Sequence, residues 1–337
     1  MLIKSTLLSA TTVLGNKISM NELISVTGQK IMCPFYHLAA DQNPIHIRHL
    51  YQCRTTKAFK ADLDFFLKHF EPLDIKDLCV IIENNKKSVK PGFFLTFDDG
   101  LSQFHDVIAP ILNEKGIPAT CFLNSAFTDN RDMFYRYKVS ILLEHFKNHP
   151  DELNHVDVIR WLNERQGTDV KKCLHSLTYG QRQSVDSLAI ITGVDFNAYL
   201  RDVKPYMTVD QISILIGQGF RFGAHSIDHP LYSDLCPEDQ ISQTEKSLNW
   251  VQHTFGQEFN IFAFPFSDQG VKQSFFDHFA GLHASFGTAG LKNDPVKNHF
   301  QRIPMEMGAF TAETLLKSQY IYFMMKSLIN KNMMERI

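Results

Sequence analysis

The sequence predicts an α/β fold built on a parallel sheet, either a barrel or a doubly wound sheet, and three observations predict it. First, Phe93–Phe97 is a run of bulky and β-branched residues, Gln103–Lys115 has helical character closed by Gly116-Ile117-Pro118, and Ala119–Leu123 is again strand-like. Strand, helix and strand within about thirty residues make a βαβ unit. Second, polar residues suited to chemistry follow strands directly: Asp98-Asp99-Gly100 after Phe97, and His225 to His229 after Phe220–Ala224. Active residues at strand C-termini fit the barrel rule. Third, Phe59, Leu63, Phe66, Leu67 and Phe70 recur at helical spacing within Thr56–Phe70, which predicts an amphipathic helix lying on a sheet.

The remaining elements follow in order. Residues 1–29 form a separate N-terminal segment without clear pattern, and Lys30–Leu38 is a first strand ending in Tyr36-His37. Asp74–Asn84 is a helix, and Lys86–Pro91 a charged loop delivering the strand before Asp98. From 127 to 207 the pattern is helical, as in Phe134–Leu143 and Val156–Leu162, with no convincing strand. This stretch reads as an insertion that either shapes the cleft or seals the flank of the fold. Its Tyr135, Tyr137, Trp161 and Tyr206 are candidates to stack on rings, or else core. A helix capped by Thr208 precedes the strand Phe220–Ala224, and Glu238–Phe255 is a further helix. Asn260–Phe266 and Ala284–Gly290 are strands, Phe275–Ala280 a helix, and Gln301–Glu306 the last strand. In the C-terminal segment, 311–337, Thr314–Ile329 is an amphipathic helix that docks on the domain or, alternatively, rests its Lys-flanked apolar face on a membrane.

Composition narrows the class. With 337 residues, 44% of them hydrophobic, and a formal charge of −2, the chain has material for a large core and no electrostatic case for nucleic acid. Its six cysteines lack C-x-x-C spacing, so they read as reduced thiols and not a disulfide framework. No apolar run is long enough to span a bilayer. Lys4 followed by Thr6–Leu14 resembles a signal peptide only weakly, because Ser and Thr interrupt the apolar stretch. The expected location is cytoplasmic, with peripheral membrane contact as the alternative, ahead of secretion.

The chemistry concentrates at two strand ends. In extended backbone the neighbouring Asp98 and Asp99 point to opposite faces, so one can bind a cation while the other meets substrate. His225 and His229 lie four residues apart and are stopped by Pro230, a spacing that lets two imidazoles converge on one ion. Two nitrogens and one carboxylate leave coordination positions open for water and substrate. Ser226 is placed to orient a ligand histidine, whereas Asp228 is expected to face solvent.

Thr96-Phe97-Asp98-Asp99-Gly100 and His225-Ser226-Ile227-Asp228-His229-Pro230 reproduce, unbroken and in order, the motifs T-F-D-D-G and H-[ST]-x-x-H-P. On these the chain resembles the polysaccharide deacetylases, the NodB-homology domain of carbohydrate esterase family 4. The resemblance covers residues 30–310 and implies a distorted (β/α)7-type barrel with the 127–207 insertion between the first two motifs. By motif position Asp98 would be the catalytic base. Asp99, His225 and His229 would hold a divalent metal, zinc in the first instance with cobalt, nickel or manganese as alternatives.

The third motif, R-x-x-P-[YF], is partial. Pro265-Phe266 matches, and in the family the amide after the proline helps hold the oxyanion, but Phe262 occupies the arginine position. Either Arg302 supplies the missing charge or the base is less strongly tuned. Ser267-Asp268-Gln269 would lay a polar edge on the cleft and alter the substrate. The Y-H strand resembles that of the poly-N-acetylglucosamine deacetylase branch, where this histidine is the general acid. His37 is therefore the candidate acid, or else a strand-end histidine with a structural bond. The family's C-terminal leucine-histidine motif is absent, which favours His37 over His299.

The expected activity is removal of acetyl from an N-acetylated carbohydrate. A carbohydrate-binding relative without activity and a hydrolase of another small amide are the alternatives.

Overall fold

The computed structural model describes residues 18–84, 90–308 and 310–336. The weak leader-like stretch near the N-terminus and most of the charged loop before Pro91 lie outside these residues. Among the described residues there are eleven short strands: β1 (Ile31–Met32), β2 (Pro34–Tyr36), β3 (Glu71–Pro72), β4 (Gly92–Phe93), β5 (Leu95–Phe97), β6 (Ala119–Leu123), β7 (Arg221–Ala224), β8 (Ile261–Ala263), β9 (Ala284–Gly287), β10 (His299–Gln301) and β11 (Ile303–Pro304). The main sheet runs β10-β9-β8-β7-β6-β5-β2-β11, parallel throughout.

The two ends of that order are one piece of chain. β10 pairs with β9 and β11 with β2, so the segment 299–304 changes partner at Arg302. There the Arg302 amide donates to the Gly287 carbonyl on one side, and the next amide, Ile303, donates to Cys33 on the other. Counted as a single broken stave, the last two strands give a nearly closed, distorted (β/α) barrel of seven. The expected continuous strand Gln301–Glu306 is thus split where the barrel closes.

Strand alternation sorts side chains into two layers. Phe94, Phe122, Ile261, Ala263, Ala284, Phe286 and Phe300 pack together inside the barrel, with Ile75 and Leu78 of helix Ile75–Glu83 against them. Outward-facing Leu95, Phe97, Cys121 and Phe222 pack against the surrounding helices. Phe262 belongs to the outer set, with Phe264, Tyr232 and Phe275. An arginine at 262 would therefore point away from the site, and the inward residues of β8 are Ile261 and Ala263.

Local signals set the helix ends. Asp74 caps Ile75–Glu83 with a capping box, Thr208 does the same for Val209–Gly217, and Gly116 closes Ala109–Lys115 in the left-handed region. The helix after Asp99 opens with a π turn over Phe104–Ile108. Residues 127–207 contain only helical elements, among them Tyr135–Asn148 and Phe196–Val203, and pack into their own cluster with Leu38, Ile47 and Leu101.

Two expectations change at the chain ends. The segment 1–29 is not separate throughout: helix Met20–Thr27 buries Met20, Leu23 and Ile24 and packs against helix Ala312–Leu328. Apolar residues surround that C-terminal helix instead of forming one stripe. Leu315, Leu316, Tyr320 and Phe323 are buried, while Met325 and Leu328 are exposed.

The C-terminal tail then pairs with Asn293 and sends Arg336 inward. Its guanidinium reaches Asp268 and Asp294 at 2.5 Å each, both carboxylates being almost fully buried. Breaking a buried pair from one side strands charge at about 3–5 kcal/mol. Arg336→Ala is therefore expected to lower the urea midpoint by an amount equivalent to at least about 3 kcal/mol at unchanged m-value.

Candidate active site

Asp98 continues the inward parity of Phe94 and Thr96, so its carboxylate stands at the inner rim of the barrel. It is 3% exposed, and Arg302, fully buried, grips it bidentately with Nη1–Oδ1 at 2.7 Å and Nη2–Oδ2 at 2.8 Å. The guanidinium is itself held by Thr96 Oγ1, by the Gly287 carbonyl and by the face of Phe35. Burial works against the charged carboxylate, but Arg302 outweighs it and holds the Asp98 pKa down to about 2.

Asp99 does not turn to the opposite face. Its φ of 70° places it in the left-handed region, and this brings both carboxylates to one cavity. Asp99 Oδ1 lies 3.3 Å from His229 Nε2 and 3.7 Å from His225 Nε2. Although buried, Oδ1 has no hydrogen-bond partner among the described residues, and neither does His229 Nδ1.

His225 Nδ1 lies 2.8 Å from the Ala263 carbonyl, which makes Nδ1 the protonated nitrogen and leaves the Nε2 lone pair facing Asp99. Ser226 Oγ accepts from the His229 amide, so it fixes the turn carrying that ligand and not an imidazole ring. Burial lowers the pKa of His225 to about 4 and that of His229 to about 3. Both rings are neutral at physiological pH, as metal ligands must be. Tetrahedral zinc bonds of 2.0–2.2 Å separate donors by about 3.4 Å, close to the 3.3 and 3.7 Å from Asp99 Oδ1 to the two imidazoles, and all three donors lie within 4.8 Å of one another. The residues present fit a divalent cation.

Phe266 has φ 56° at the end of β8, and its N–H donates to no described residue. Thr288 Oγ1 donates to the Phe266 carbonyl, while the Thr288 amide donates to Asp268. Asp268, expected on the cleft edge, is instead wholly buried among His299, Gln301 and Arg336. Gly287 permits this, since a Cβ there would lie 2.3 Å from Asp268 Oδ1. His299, the alternative acid, is likewise fully buried, bonded to Asp268 and Ser285, and is absent from the wall of the cavity.

His37 does reach the cavity. Glu306 binds it twice and its neighbour once, with Oε2 at 2.5 Å from His37 Nδ1 and Oε1 accepting from the amides of His37 and Leu38. Burial disfavours the imidazolium, yet Glu306 prevails and the His37 pKa rises to about 9.

The cavity holds about 440 Å³, with Phe35, Tyr51, Phe134, Tyr137 and Phe266 among its walls and Asp98, Asp99, His225 and His229 in it. The sequence matches the family model described as polysaccharide deacetylase over residues 85–274, more than half of the chain. The chain belongs to this family.

Solved deacetylases share the fold. The Streptococcus pyogenes deacetylase PplD, solved with acetate, superposes with a TM-score of 0.55 at 15% identity over 86% of this chain and 98% of that one. The putative polysaccharide deacetylase BA0330 from Bacillus anthracis gives 0.51 at 12% identity, covering 86% and 68%. IcaB from Ammonifex degensii gives 0.51 at 11% identity, covering 86% and 97%. No curated protein sequence matches.

Several site residues of this deacetylase-family chain lie outside the matched span or were not legible as motifs. Glu306 had no signal beyond its place after the last strand. Phe134, Arg136, Tyr137 and His175 of the 127–207 stretch line the cavity, which favours cleft shaping over flank sealing. Stacking on sugars is not their arrangement: Tyr135, Trp161 and Tyr206 are buried, with the Tyr206 hydroxyl accepting from Phe134 N and Trp161 Nε1 donating to Ser184. Asp228 is bound by Tyr179 and Gln243 and does not face solvent freely.

The His37–Glu306 contact is checked by imidazole NMR on metal-free protein. His37 is expected to stay protonated up to about pH 9, and Glu306→Gln to lower its midpoint.

Proposed function

We propose that this chain is a metal-dependent hydrolase that removes acetyl from an N-acetylated carbohydrate. The observation that carries the reading is the juxtaposition, in one cavity, of the convergent donors of Asp99, His225 and His229 with an Asp98 held ionised by Arg302. Asp99, His225 and His229 would hold a divalent cation, which would supply Lewis acidity for an acetamide carbonyl and a water.

The other roles belong to the chain itself. Asp98 takes a proton from the attacking water; its low pKa means that it waits in the ionised form. The Phe266 N–H, kept from other acceptors by its left-handed backbone, donates to the oxygen that gains charge, an interaction of about 3 kcal/mol in comparable sites. His37 gives its proton to the departing sugar nitrogen as the C–N bond breaks. Acetate and a free amino sugar are the products. Glu306 keeps His37 charged beforehand and accepts through Nδ1, which leaves Nε2 for the substrate. Phe134, Arg136 and Tyr137 supply the wall that separates this chemistry from bulk water.

The same assignment predicts the metal and substrate behaviour. Purified protein is expected to bind one zinc or cobalt equivalent and to release acetate from N-acetylated oligosaccharides only when loaded. Asp98→Asn should cut turnover by at least about a thousandfold and still bind metal; retained turnover would remove the assignment of Asp98 as base.

The pH dependence has a defined sign. An acid works only while protonated, so kcat/KM should fall as pH rises through the His37 pKa near 9. In Glu306→Gln that descending limb should move toward neutrality, as measured from pH-rate profiles with a soluble oligosaccharide.

A further inference from the structure

The helical stretch between the two metal-ligand motifs does more than wall the cavity. Tyr137 lies in the first turn of helix Tyr135–Asn148, is 1% exposed, and donates its hydroxyl to Asp99 Oδ2 at 2.5 Å. The other oxygen, Oδ1, is the one without a partner and the one near both histidines. A carboxylate can turn about its Cβ–Cγ bond and offer either oxygen or both. With Oδ2 engaged by the phenol, only Oδ1 is presented.

We infer that Tyr137 is a positioning residue of the metal centre, fixing Asp99 as a one-oxygen ligand, so that the insertion sets metal affinity. The inference rests on the metal reading of Asp99, His225 and His229 given above.

The supporting contacts make the hydroxyl a fixed point. The Tyr137 ring is packed by Phe134, His46 and Tyr206 at centroid distances of 5.2, 5.3 and 6.3 Å. The Phe134 amide donates to the Tyr206 hydroxyl at 3.0 Å, which anchors the start of the helix to the far end of the insertion. That far end is tied to the loop beyond Asp99: Met207 N donates to the Gly100 carbonyl, Ser102 N donates to the Pro205 carbonyl, and Leu101 bridges Tyr206. The insertion thus grips the Asp99 loop from both sides. This matters because Asp99 sits at positive φ, a conformation that surrounding contacts must hold in place.

The test is metal affinity, measured by competition with a chelator for zinc and cobalt on the full chain, with no activity readout needed. Outer groups that orient a metal ligand are commonly worth 10–100-fold in affinity. Y137F deletes one oxygen and keeps the ring, and it should bind about tenfold or more weakly. Once Asp99→Asn has removed the carboxylate, adding Y137F should change affinity by less than about twofold, because the two losses share one interaction.

Y137F affinity within about twofold of wild type, or losses that add independently in the double variant, would overturn the inference while leaving the metal centre in place. Wild-type protein that takes up no metal would overturn both. Should Y137F fail to unfold cooperatively, Y137Q and Y137L replace it. The amide of Gln can donate to Asp99 and Leu cannot, so tighter binding by Y137Q supports the inference and equal binding contradicts it.

Discussion

The structure depends on one buried ion pair, Arg302 on Asp98. Taking both charges out of water costs several kcal/mol per ion, and the loss is offset only where geometry and remaining hydrogen bonds are good. Here both carboxylate oxygens are met at 2.7 and 2.8 Å, and the spare guanidinium protons go to Thr96 and Gly287. Arg302 lies where the last stave leaves β9 for β2, and its own amide donates to Gly287. The contact that keeps the proposed base ionised is therefore assembled by closing the barrel. Asp98 and Arg302 are 204 positions apart, so the pair also joins the first motif to the end of the domain.

A second constraint is backbone conformation. Asp99, Ser226, His229 and Phe266 all have positive φ, between 56° and 70°. Left-handed non-glycine residues cost on the order of 1–3 kcal/mol each and persist where neighbours hold them. The neighbours are identifiable: Tyr137 for Asp99, the Ser226 hydroxyl for His229, and Thr288 for the turn at Phe266. Four such residues around one cavity place the strain where the donors converge. It is this backbone, and not the strand pleat, that brings two adjacent aspartates to one site.

What sequence reasoning reached and what it missed follow the same physical division. Local patterns carried the βαβ unit, the helix beginning at Asp74, the helix ends at Thr208 and Gly116, and the two motifs of the proposed metal site, because each is decided within a few residues. Arg302 was accessible only by asking what replaced a missing charge. Phe262, at the motif's arginine position, faces the helices; the inward residues of β8 are Ile261 and Ala263, in the same interior cluster as Phe122, over which Arg302 lies. Glu306 gave no local signal, since its role depends on a strand 269 residues earlier in the chain. Asp268 looked like a surface turn residue because its partner Arg336 comes from the tail. Tyr137 looked like a stacking or core aromatic because nothing nearby reveals that its hydroxyl meets Asp99. His37, Arg302 and Glu306 all lie outside residues 85–274, so the matched motifs hold the proposed metal ligands and base while other parts of the barrel furnish the charges around them.

The central claim is that Arg302 sets the charge of Asp98, and a carbon-detected NMR titration of the Asp98 carboxyl in metal-free protein tests it most directly. In wild type the carboxyl should remain ionised down to about pH 2; in Arg302→Gln its midpoint should rise by more than about one pH unit, a change of at least about 1.4 kcal/mol in the balance between its two forms. An unchanged midpoint in folded Arg302→Gln would contradict the account, because the low pKa would then owe nothing to the residue that closes the barrel.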